Sequence, residues 1–159
     1  MTTIDMGEDR TVELDETDRA VLDARIRDAR ADVRDIATET GIVANRVEDR
    51  LSRLESTGVI REYTARIDYD KLGYDVTALF RLVTNDDGVL ERLREDPQFV
   101  TVYAVTGSED IVAVGKFSDT DSMNAAVTKL LNDDGVETLR TNVALDVVRE
   151  FEPFTLGAD

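Results

Sequence analysis

Arg46, Arg50 and Arg53 recur at intervals of four and three residues within ANRVEDRLSRLES (44–56). On a rod of 3.6 residues per turn they share one flank. Guanidinium groups gathered in this way suit phosphate contact, and paired hydrogen bonds from Arg46 or Arg50 suit a guanine edge. Asn45 is of the type that reads adenine, and Asp49 can accept from cytosine or repel phosphate. Arg61 and Arg66 follow as further cations. The same spacing also suits ion pairs along a helix, a reading that needs no nucleic acid. A second cluster, TGSED (106–110), sets Thr106, Ser108, Glu109 and Asp110 around Gly107. Glycine permits a tight turn between strands, and these side chains can hydrogen-bond a small polar ligand or simply close a hairpin.

Other chemistries are excluded or given no support. Cysteine and histidine are absent from the 159 residues, which removes disulfides, thiol nucleophiles, imidazole bases and the usual zinc ligands. No nucleophile–base pair and no phosphate-cradling glycine loop is present, so neither an enzyme nor a cofactor is expected. The acidic pairs Asp86/Asp87 and Asp133/Asp134 are read as solvated loop residues, and no metal is expected. No apolar run approaches the ~20 residues that span a bilayer. The opening MTTIDMGEDR lacks the basic and apolar regions of a secretion signal, so a cytoplasmic protein is expected.

The formal charge of -16 comes from 22 Asp and 13 Glu against 16 Arg and three Lys. Dense carboxylate keeps a surface hydrated at high salt, where its self-repulsion is screened, so a halophilic, salt-rich setting is expected. Against that background residues 42–66 hold five Arg and four acids, which makes this the least negative surface on offer.

The elements that must position these residues follow from periodicity. Leu14, Val21, Leu22, Ile26 and Ala29 share one face of a helix begun by Asp15, with Asp18 as a weak capping box. A second helix opens at Asp32, with Asp35 three residues on, buries Val33, Ile36 and Ala37, and ends at Thr40-Gly41. In a third, from about Val43 to Ser56, the apolar stripe is Val43, Val47, Leu51 and Leu54, and Gly58 stops it. VIREYTARID (59–68) alternates as a wing-like strand. From Tyr74 the period becomes two. Strands are predicted at 76–83, 99–106, 111–117 and 138–151, with helices around Val89–Leu93 and Met123–Leu131, the latter capped by Asp119 or Asp121. The fold class is therefore α+β, an N-terminal winged helix-turn-helix followed by a ferredoxin-like βαββαβ domain. The expected division is a loose tail (1–13), the winged helix-turn-helix (14–67), a link (68–75), the ferredoxin-like domain (76–151) and a C-terminal tail (152–159). Tyr103 and Phe117 are expected in the sheet or a dimer core.

LDETDRAVL (14–22), the spaced IA and TG of 36–41, RLSRLESTGVIREYTARID (50–68), KLGY (71–74), VTGSED (105–110) with IVAVGKF, and GVETLRT (135–141) occur in this order and spacing. Over about residues 13–151 the chain resembles the Lrp/AsnC (leucine-responsive, feast/famine) transcription regulators. The resemblance implies sequence-specific binding of double-stranded DNA by Asn45, Arg46, Asp49, Arg50, Arg53 and Arg61. It implies an amino-acid effector at Thr106, Gly107, Ser108, Glu109 and Asp110. Asp110 would meet its ammonium and backbone N–H groups of Gly107–Glu109 its carboxylate. A second acid, Glu109, suits a basic ligand such as lysine or arginine. A homodimer or higher homo-oligomer is also implied. Two departures stand out. The family opens the third helix with a capping serine and a proline where this chain has Val43-Ala44, and often has glycine where Glu62 stands. They favour a rival reading, a sensor or interaction protein that no longer binds DNA.

Overall fold

Aspartates start the first two helices. In the computed structural model, which describes residues 11–153 and Leu156, Asp15 caps α1 (Glu16–Arg27) and Asp32 caps α2 (Val33–Thr40). Each closes a reciprocal capping box, with Asp18 and Asp35 respectively. Gly41 ends α2 in the left-handed region, at φ 72°, where a Cβ would be strained. Helix α3 (Ala44–Ser56) opens on Val43, whose side chain makes no capping bond and is 66% exposed. The three helices close over Val21, Leu22, Ala24, Ile36, Val47, Leu51 and Leu54, with Ile26, Val59, Ile60 and Leu156 at the margin.

The wing segment departs from expectation. Residues 59–68 are not in a strand, and residues 61–68 are exposed throughout. A strand exists only when a neighbour takes its backbone groups, and no described segment does so here. Side chains hold the segment instead. Tyr63 donates to Glu55 at 2.7 Å and lies under the Arg25 guanidinium, 5.3 Å from its ring centre.

The second compact unit spans Ile67–Glu150. It carries a short 3-10 turn, Asp70–Leu72, and then β1 (Val76–Thr84), α4 (Gly88–Glu95), β2 (Phe99–Ala104), β3 (Ile111–Phe117), α5 (Thr120–Leu131, capped by Asp119) and β4 (Val136–Val143). The sheet order is β2-β3-β1-β4, antiparallel throughout. Both helices cover one face, where Phe80 meets Phe99 edge-on at 5.1 Å among Leu82, Val89, Leu93, Phe117, Met123 and Leu130. Phe117 is 1% exposed, whereas Tyr103 is 60% exposed and outside this core.

The fourth strand is shorter than its alternation suggested. Register sets the limit: Val143 lies opposite Ala78 and Ala144 donates to Thr77, so β1 has almost no partner left for residues beyond 144. Lys116 anchors the next stretch, bonding Thr77 Oγ1 at 2.9 Å and Glu150 at 2.7 Å while nearly buried. Beyond Glu150, residues 151–153 and Leu156 belong to the helical unit. Arg66 pairs with Glu152, and the Leu156 N–H bonds Asp23. The expected N-terminal tail, as far as residue 10, lies outside the described residues, as does most of the C-terminal one.

Candidate nucleic-acid interface and effector loop

Helix α3 turns Val47, Leu51 and Leu54 inward, so positions 45, 46, 49 and 52 face outward by geometry. Asn45, Arg46 and Asp49 are exposed as the sequence suggested. The Arg46 N–H is shared between Asn45 Oδ1 at 2.9 Å and the Val43 carbonyl at 3.0 Å, while the Val43 side chain caps nothing. Arg46 and Arg61 pair with no carboxylate among the described residues.

Arg50 and Arg53 are placed differently from the free basic edge that their spacing suggested. Both turn back onto the first turn of α1. Arg50 meets Asp15 at 3.0 Å and Asp18 at 3.1 Å. Arg53 meets Asp18 at 2.5 Å and the Glu13 carbonyl at 3.0 Å. Asp18 is 1% exposed, and a carboxylate that far from water needs cationic partners. The two guanidinium groups supply them and bolt α3 to α1. The Asp18 backbone N–H, with Arg50 and more weakly Arg46, holds the Asp15 carboxyl below its ordinary range. Sequence reasoning saw Asp18 only as a capping partner. Its position three residues before the buried Val21, on the inward side of the helix, was the available signal.

In the second unit, 105–110 joins β2 to β3, and Gly107 sits at φ 121°, which disfavours any residue with a side chain. Thr106, Gly107, Ser108 and Asp110 are exposed and Glu109 is half-buried. The N–H groups of Gly107, Ser108 and Glu109 meet no acceptor among the described residues. Asp110 is tied to β1 twice: its N–H donates to the Leu82 carbonyl at 2.8 Å, and its Oδ2 accepts the Thr84 N–H at 2.8 Å. One carboxylate oxygen is thus committed, leaving Oδ1 to face outward chemistry. Glu109 is engaged as well, accepting from Ser108 Oγ at 2.7 Å and lying 3.6 Å from Arg140. It is no unpartnered second acid. Arg140, which sequence reasoning passed over, lies beside the loop.

Three helices with an exposed third, followed by an antiparallel βαββαβ module bearing a hydrogen-bonding hairpin loop, define a two-part regulator that joins a DNA-binding unit to a ligand-binding one. Residues 14–61 match the model of winged helix-turn-helix DNA-binding domains, and residues 83–154 match that of the Lrp/AsnC ligand binding domain. An uncharacterized HTH-type transcriptional regulator of Pyrococcus furiosus is 37% identical over 142 residues, covering 87% of this chain and 96% of the relative. The chain belongs to the Lrp/AsnC family of transcriptional regulators. In fold it is similar to a feast or famine regulatory protein from Mycobacterium tuberculosis complexed with L-methionine, at a TM-score of 0.83 and 24% identity over 90% of this chain and 99% of that one. It is also similar to a Neisseria meningitidis transcriptional regulator in complex with L-Met, at 0.80 and 21% over 87% and 94%. Among the described residues no helix is long and apolar enough to cross a membrane, and no group of acidic residues is arranged to hold a metal ion.

Proposed function

We propose that this regulator reads DNA by laying α3 in the major groove. Asn45, Arg46 and Asp49 face the bases and Arg61 meets the backbone. Arg50 and Arg53 serve the same interface at one remove, fixing the angle of α3 against α1. The observation that carries the reading is this division among the arginines. Two spend their charge inside the unit, while Arg46 lies exposed on the outward face with no close ion pair among the described residues. With the bulk of the -16 charge elsewhere, the contact tolerates an anionic body. Its affinity falls steeply with salt, because each phosphate contact releases counterions.

The loop 106–110 is proposed to take an amino-acid effector, its ammonium at Asp110 Oδ1 and its carboxylate on the open N–H groups of Gly107–Glu109. Two proteins of similar fold were solved with L-methionine, and this supports the class of effector. A homodimer is proposed, since paired helix-turn-helix units read half-sites about one DNA turn apart. The setting is a salt-rich cytoplasm, and the role is regulation rather than catalysis.

The rival reading, a sensor that has left DNA behind, draws on one observation. Glu48, Asp49 and Glu55 share the exposed surface of α3 with Arg46. Gel-shift assays against genomic fragments at controlled salt separate the two. Sequence-selective retardation is expected, weakened on every fragment by Arg46→Ala and relaxed in selectivity by Asn45→Ala. Binding that ignores sequence, or that neither substitution alters, would leave the rival standing.

A further inference from the structure

In the sheet register Arg81 of β1 lies directly opposite Arg140 of β4. Their neighbours Phe80 and Leu82 point into the helix-covered core, so alternation puts both arginines on the helix-free face. Residues so placed have Cβ atoms about 5 Å apart, and like charges there destabilise the pairing. A protein with 35 acidic residues and only 19 basic ones has no shortage of carboxylates to set between them. It supplies one, Glu109, and that one sits at a loose 3.6 Å from Arg140 and is shared with Ser108. Arg81 has no acidic partner among the described residues. Two guanidinium groups thus face one carboxylate, and the local balance is positive in a strongly negative chain.

The same residues line a cavity. Arg81, Val83, Ser108, Glu109, Thr138 and Arg140 enclose about 100 Å³. A water molecule needs only about 10–15 Å³ of such space, so there is room for a carboxylate with its methylene. The cavity also adjoins the effector loop. Ser108 and Glu109 belong to both, and Asp110 is bonded to Leu82 and Thr84, the residues on either side of Val83.

From this geometry we infer that the effector is acidic, a small amino dicarboxylate of the aspartate or glutamate kind, whose side-chain carboxylate is received between Arg81 and Arg140. The inference rests on the proposed effector reading of residues 106–110 and specifies the ligand's other end. The planar forks of the two arginines each match a carboxylate with paired donors, and the incoming charge relieves their mutual repulsion. Glu109 keeps Arg140 oriented until the ligand arrives. This reverses the sign suggested by sequence alone, where Glu109 beside Asp110 pointed to a basic ligand.

Calorimetric titration of the full chain at fixed ionic strength tests the assignment. The probes are L-aspartate, L-glutamate, L-asparagine, L-glutamine and L-lysine, added to the parent protein and to Arg81→Gln and Arg140→Gln. One acid is expected to bind at least about tenfold more tightly than its amide, and either substitution is expected to abolish most of that preference. A neutral or basic amino acid that binds at least as well, with affinity indifferent to Arg81→Gln, overturns the inference while leaving the effector reading intact. If none of the five binds, the inference is overturned. Should the substitutions change oligomeric state but leave the acid-to-amide preference in place, the arginines serve a second copy of the chain and the inference is overturned.

Discussion

Replacing Asp18 by asparagine removes one charge from the best-buried ionic contact in the helical unit and alters little else, since asparagine still accepts the Asp15 N–H. What is lost is the charge behind two guanidinium bonds, at 3.1 Å from Arg50 and 2.5 Å from Arg53. Hydrogen bonds to charged groups contribute about 1.5–3 kcal/mol each, and stripping one partner from a fully buried pair costs about 3–5 kcal/mol. The upper figure does not apply, because the Arg50 and Arg53 side chains are 23% and 39% exposed and can turn towards water. A loss of about 2–3 kcal/mol follows. At about 4–8 °C per kcal/mol for a domain of this size, melting falls by roughly 10–20 °C. Urea unfolding followed by circular dichroism at constant salt should show the midpoint lowered with an unchanged slope. Adding Arg53→Ala closes a cycle whose coupling is expected at about 1–3 kcal/mol. The reasoning is refuted if Asp18→Asn lies within about 0.5 kcal/mol of the parent. It is refuted equally if Arg50→Ala and Arg53→Ala leave stability untouched and each lowers the salt slope of DNA binding by about one, for then they serve phosphate and not α1.

Other expectations follow from single contacts. Arg46→Ala should weaken DNA binding across sequences and flatten the plot of log affinity against log salt by about 0.9, measured by fluorescence anisotropy. Val43→Ser places a capping hydroxyl where the backbone is already extended (φ -61°, ψ 142°) and should raise stability by about 1 kcal/mol in urea titration. Phe80→Ala empties the centre of the sheet core and should cost about 3–5 kcal/mol by the same measurement. Asp119, held below its ordinary range chiefly by the Ser122 N–H, contributes stability that is present above the unfolded carboxylate value and lost as pH falls through its lowered folded value. The stability gap between the parent and Asp119→Ala, followed by chemical denaturation from pH 7 to pH 3, should therefore narrow below about pH 4.

Much of this architecture was legible in the amino-acid order because the signals were local. Asp15, Asp32 and Asp119 announced their helices through capping chemistry three residues long, and the stripe Val47, Leu51, Leu54 fixed which side of α3 is inward. The strands of the second unit showed their period of two directly. What local signals could not convey was partnership. Alternation in 59–68 and beyond Val143 is real, but a ladder needs a second backbone in register, and the spacing of one segment says nothing about its neighbours. The arginines illustrate the same gap. Their shared flank on α3 was plain, whereas the 32 and 35 residues that separate Arg50 and Arg53 from Asp18 hid the contact that claims them. Arg81 and Arg140 went unnoticed for an equivalent reason, since only the register of β1 with β4 sets them face to face.

Asp110 is riveted to β1 at two points, one of them backbone to backbone with no rotatable side chain to absorb slack. Whatever grips the hairpin consequently loads a strand, and that strand is an interior member of its sheet, stiffened by neighbours on both edges. Its far end, Val76, is where the polypeptide arrives from Arg66 and the helices before it. A load placed on the hairpin is therefore spread along the nine residues of that strand and into its two neighbours instead of being absorbed within the loop.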